Sequence, residues 1–114
     1  MQAASLSARH CRPLKGEAFR LAPEEAAALV LELDPGWSIG PERSALERRF
    51  IFRDFAETMA FVNAVAWMAQ RENHHPELTV GYNACAVRYS THDVGGLSEN
   101  DFICAARIDA LMPV

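Results

Sequence analysis

The chain has 114 residues, 50% of them hydrophobic and 9% aromatic, with 11 Lys and Arg against 15 Asp and Glu for a formal net charge of −4. That length supports one globular domain with its own core, and the apolar content excludes disorder. The mild acidity argues against direct nucleic-acid binding, which needs a concentrated Lys/Arg surface, and no apolar run exceeds Ala26 to Leu31, far too short for a bilayer core of about 30 Å.

Residues 1–20 carry Arg9, Arg12, Lys15 and Arg20 against the single acid Glu17 and lack the apolar segment of a secretory signal. They read as a flexible, solvated tail ahead of a domain spanning 21–112. The first helix is expected at Pro23, because proline suits the first helical position and Glu24 and Glu25 complement the positive end of the dipole. Ala26, Leu29, Val30 and Leu33 mark its buried side, and Pro35-Gly36 stops it. A short strand over 37–39 and a second from Leu46 to Arg53, where Leu46, Arg48, Phe50 and Phe52 alternate with Glu47, Arg49, Ile51 and Arg53, form a predicted hairpin.

Asp54 is suited to cap the longest helix, Phe55 to Glu72. Phe55, Met59, Val62, Val65, Ala66 and Ala69 recur at helical spacing and are expected to face the sheet, leaving Phe61, Trp67 and Met68 on an outer side that self-association would cover. Leu78-Val80-Tyr82 and Cys85-Val87-Tyr89 flank a turn at 81–83 as a second hairpin, and Ser98 caps a last helix running toward Leu111. The order αββαββα predicts an α+β fold: one four-stranded antiparallel sheet with its helices packed on a single face.

Cys11, Cys85 and Cys104 are odd in number and lack close spacing, which suggests neither disulfides nor a cysteine zinc site and points to a reducing, cytoplasmic setting. Cys85 and Cys104 fall on apolar faces and read as packing residues. The histidines are more informative. His74 and His75 precede the second hairpin and His92 follows it, and the two ends of a hairpin meet in space. Imidazole titrates near neutrality, so such a cluster can donate one proton and accept another in a single turnover. Three histidines can also hold zinc, but the His-Glu-x-x-His spacing is missing and adjacent histidines rarely chelate one ion, so no metal is expected. His10 reads as solvated, Asp101 as the capping-box partner of Ser98, and Gly95-Gly96 as turn glycines beside the site.

The segments Glu72-Asn73-His74-His75-Pro76, Gly81-Tyr82-Asn83, Ser90-Thr91-His92-Asp93 and Gly95-Gly96-Leu97-Ser98 with Asp101 together resemble the pterin-4a-carbinolamine dehydratase family, over about residues 21 to 110. The resemblance implies dehydration of a 4a-hydroxytetrahydropterin to quinonoid dihydropterin without a cofactor, by a dimer or a tetramer built as a dimer of dimers. It assigns His74 and His92 as the acid/base pair, His75 as the residue that chiefly holds the pterin, and Asp101 as a supporting carboxylate. Pro76 and its strand, with Thr91 and Asp93 of the 91–96 loop, would bind the flat, polar-edged ring. Gln70 stands at a position often acidic in the family; the amide keeps an orienting hydrogen bond but lacks a charge that favours imidazolium. The resemblance also implies a rival role as a regulatory protein's partner, or action on another pterin such as a molybdopterin-pathway intermediate.

Overall fold

The computed structural model describes residues 5–42 and 44–113. Its helices are α1 (Pro23–Val30), α2 (Phe55–Glu72) and α3 (Glu99–Leu111), and its strands β1 (Ser38–Ile39), β2 (Leu46–Ile51), β3 (Glu77–Val80) and β4 (Ala84–Tyr89). The strands form one antiparallel sheet in the order β1-β2-β4-β3. The expected α+β architecture is therefore present.

Strand alternation separates the two faces. Leu46, Phe50, Cys85, Val87 and Tyr89 are buried and share one core with Phe61, Val65 and Met68 of α2 and Phe102, Cys104 and Ile108 of α3. Removing each large side chain from water contributes roughly 1.5 to 3 kcal/mol. On the opposite face Arg88 reaches Glu47 at 3.3 Å and Glu77 at 3.4 Å, an exposed ladder suited to a solvated surface. Arg48 lies on the inner side of β2, where Asp109 of α3 accepts from its Nη1 at 2.6 Å and from Trp37 Nε1 at 2.8 Å. That carboxylate ties the end of α3 to the first hairpin.

Helix α2 begins as expected, with Asp54 Oδ1 accepting from Glu57 N–H at 2.9 Å, but its buried face differs from the periodicity reading. Phe61 and Met68, expected outside, are 7% and 8% exposed, and Phe55 and Ala66, expected to face the sheet, point out, Phe55 at 50% exposure; Trp67, at 66%, lies outside as expected. Apolar residues occupy two neighbouring stripes of this helix, so spacing alone does not choose between them. The choice is made by the Phe50 and Phe52 rings, 4.6 and 5.0 Å from the Phe61 ring, and by Thr58, whose hydroxyl donates to the carbonyls of Asp54 and Tyr82.

The reading of residues 1–20 as a solvated tail is also corrected over the described part. Leu6 and Leu14 are buried, 3% and 6% exposed, and short 3-10 turns at Leu6–Ala8 and Glu17–Phe19 shape the segment. Arg9 pairs with Glu99, and Asn100 of α3 clamps Arg12 by accepting from its N–H at 3.2 Å and donating to its carbonyl at 2.7 Å. Net charge and a lack of periodicity hid two buried leucines. Among the described residues no helix is long and apolar enough to cross a membrane.

Candidate active site

The turn from α2 into β3 is set by Asn73, whose left-handed backbone (φ 51°, ψ 41°) ends the helix, a conformation asparagine tolerates better than most residues. The chain then bends back, and His74 N–H bonds to Ala69 O at 3.1 Å. The two adjacent histidines consequently diverge. His74 turns inward, its side chain only 12% exposed, while His75 stays exposed with Nε2 donating to Gln70 Oε1 at 3.3 Å. Gln70 thus makes an orienting hydrogen bond, and it serves His75.

His74 Nε2 donates to Asp101 Oδ1 at 2.6 Å, and its ring lies nearly parallel to Tyr89, 12° apart with centroids at 5.4 Å. Asp101 is fully buried. Its Oδ2 accepts from the Thr91 hydroxyl at 2.8 Å and from Ser98 N–H at 2.9 Å, the second being the backward half of the capping box. Ser98 Oγ completes the network at 2.6 Å from Thr91 Oγ1. Capping and site chemistry therefore share one carboxylate. Burial alone pulls His74 toward the neutral form, but the hydrogen bond and charge of Asp101 outweigh it and the pKa is raised. An imidazolium is favoured where a general acid would stand.

Thr91, expected to contact substrate, spends its hydroxyl on Asp101 and Ser98 and is 7% exposed, so its side chain orients the carboxylate. His92 and Asp93 lie exposed in the turn that follows, closed by Gly95 at φ 76°. A cleft of about 380 Å³ is lined by His74, Thr91 and Asp93 together with 11–15, Arg71 to Asn73 and Asn100. His92 sits between two residues of that lining. His75 and Pro76 follow His74 outside it.

The N-terminal contribution escaped sequence reasoning. Cys11 N–H donates to Glu72 Oε1 at 2.8 Å, Gly16 N–H bonds to Asp93 O at 2.9 Å, and Leu14 is buried beneath. Although burial opposes it, Glu72 has a lowered pKa, held down by Cys11 N–H and by His10, whose Nδ1 lies 3.0 Å from Glu72 Oε2. Cys11 and Cys104 bring their sulfurs to 3.4 Å, a contact in which either thiol can donate, and the pairing holds the pKa of Cys11 up and that of Cys104 down. The one sequence signal was the apolar pair Leu6 and Leu14, too sparse to show a period.

Comparison with known proteins points to one family. The family model described as pterin 4 alpha carbinolamine dehydratase matches residues 20–111. A relative from Nitrosomonas eutropha, provisionally named a pterin-4-alpha-carbinolamine dehydratase, is 50% identical over 107 residues, covering 94% of this chain and 93% of that one. A Stenotrophomonas maltophilia relative of the same provisional name is 53% identical over 106 residues, 93% of this chain and 90% of the other. Among solved structures, a transcriptional coactivator/pterin dehydratase from Brucella melitensis superposes with a TM-score of 0.78 at 33% identity, covering 82% of this chain and 99% of that one. A pterin dehydratase-like protein identified as a RuBisCO assembly factor in the alpha-carboxysome gives a TM-score of 0.58 at 28% identity, over 67% and 88% of the two chains.

Proposed function

The chain belongs to the pterin 4 alpha carbinolamine dehydratase family, and from that membership and the site geometry we propose that it dehydrates a 4a-hydroxytetrahydropterin to quinonoid dihydropterin. The observation that carries the reading is the His74–Asp101 pair, 2.6 Å long, at the wall of a cleft. In this mechanism His74, held protonated, delivers its proton to the departing hydroxyl. The C4a–O bond breaks, water leaves, and a carbon–nitrogen double bond forms as His92 takes the proton of the neighbouring ring nitrogen. His75, oriented by Gln70, and the Pro76 strand would hold the pterin, with Asp93 at the loop edge. Stopped-flow dehydration of the carbinolamine tests the activity: the protein should accelerate it well beyond the buffer rate, and an unchanged rate rejects the reading.

Proton transfer alone completes this reaction, so dialysis against a strong chelator should leave the rate intact. A loss restored by zinc would show that a metal takes part.

A homo-oligomer fits a different surface from the one periodicity suggested, because Phe61 and Met68 are core residues. Ile51, Phe55, Val80 and Tyr82 are 60%, 50%, 41% and 67% exposed, and the Phe55 and Tyr82 rings stack at 6.5 Å. They gather where β2 ends, α2 begins and the β3–β4 turn closes, beside the unpaired edge of β3. Sedimentation should show a dimer or tetramer at micromolar concentration that Phe55→Lys weakens; a 12.6 kDa species throughout would reject self-association. A regulatory protein bound on that patch is the second reading, favoured by its exposure and by the likeness to the Brucella transcriptional coactivator/pterin dehydratase.

A further inference from the structure

The cleft beside His74 has a wall that the family model does not include: the model begins at residue 20, and the wall is 11–15. This wall is fixed in place. The backbone of Arg12 is clamped on both sides by Asn100, Cys11 N–H is held by Glu72, Leu14 is 6% exposed, and Gly16 N–H ties the far end to Asp93 in the loop that carries His92.

The wall also carries charge. Arg12 and Lys15 share the lining with Arg71 from the end of α2, and among the described residues none of the three forms an ion pair. Each guanidinium instead lies over an aromatic face, Arg12 at 5.8 Å from the Phe19 centroid and Arg71 at 4.7 Å from that of Trp67. Such stacking restrains a guanidinium by its plane and leaves its N–H edge able to donate. Against them stand two carboxylates in the lining, Asp93 and Glu72, the latter 7% exposed and facing Cys11 N–H, His10 and, at 3.9 Å, Arg107. In a chain of net charge −4 this is a local excess of positive charge at one mouth. A cleft whose lining carries an excess of one sign of charge concentrates ligands of the other.

Resting on the dehydratase reading, we infer that the 11–15 wall is a specificity element and that the site takes a pterin whose side chain ends in an oxyanion, a phosphate monoester or a carboxylate. The ring would sit against His74, and the anion would lie outward between Lys15, Arg12 and Arg71. These three residues act on binding and take no part in proton transfer.

Equilibrium binding of stable 7,8-dihydropterins separates this inference from the catalytic one. Three probes share the ring and differ in the C6 side chain: a neutral polyhydroxyl chain, the same chain as a phosphate monoester, and one ending in a carboxylate. At low ionic strength at least one anionic probe should bind about tenfold tighter than the neutral one, an advantage that shrinks in about 0.5 M salt. Lys15→Gln and Arg12→Gln should each cut it severalfold, and the probe favoured identifies the anion. Equal affinity for all three probes, or an anionic advantage untouched by both substitutions, overturns the inference. Absent turnover with the binding preference intact overturns the catalytic reading alone.

Discussion

Replacing His74 or His92 by alanine should lower the dehydration rate constant by about a hundredfold or more, while His75→Ala should chiefly raise KM. The difference follows from where the three rings stand. His74 is half-buried against Tyr89 and paired with Asp101, a setting that fixes its orientation and favours its proton. His92 follows Thr91 at the other end of the hairpin, exposed in a short turn. His75 is exposed and bonded to the neutral Gln70, an arrangement that suits holding a ring better than shuttling a proton. Steady-state kinetics on purified variants decides the matter. A His75→Ala enzyme with a hundredfold lower kcat and unchanged KM would exchange its role with one of the others.

Much of this site was readable in the chain because it depends on local signals. A hairpin's ends must meet, so His74, His75 and His92 had to share one end of the sheet whatever the rest of the fold did. Asp54 and Ser98 announced their helices by side-chain chemistry that needs no tertiary context. The failures have a common physical origin in contacts remote along the chain. Which stripe of α2 is buried was decided by Phe50 and Phe52 across the sheet, and the docking of 5–16 by Asn100 and Glu99 of α3. The double duty of Asp101 belongs to both kinds. Its capping role follows from a spacing of three residues, whereas its bond to His74 spans 27 positions.

Asp101→Asn should damage stability and catalysis together, because one buried carboxylate satisfies His74, Thr91 and Ser98 N–H at once. An amide nitrogen cannot accept from these donors, and breaking a buried charged pair costs about 3 kcal/mol, enough to lower Tm by roughly 10 °C or more in a domain of this size. The pH dependence gives the sharper test. The His74 pKa is raised by Asp101 against the downward pull of burial, so the native state holds that proton more tightly than the unfolded chain does. The resulting stabilisation is fully present below the ordinary imidazole pKa of about 6.5 and is lost as pH rises through the higher native value. With asparagine in place the main cause of the rise is gone and burial still opposes the charge, so the loss of stability over that window should largely disappear. The alkaline fall in kcat should move to lower pH for the same reason, since His74 must be protonated to release the hydroxyl as water. Thermal melts and kcat profiles of the two proteins across neutral and mildly alkaline pH measure both effects. Coincident profiles, displaced only in amplitude, would mean that Asp101 caps α3 without governing the proton on His74.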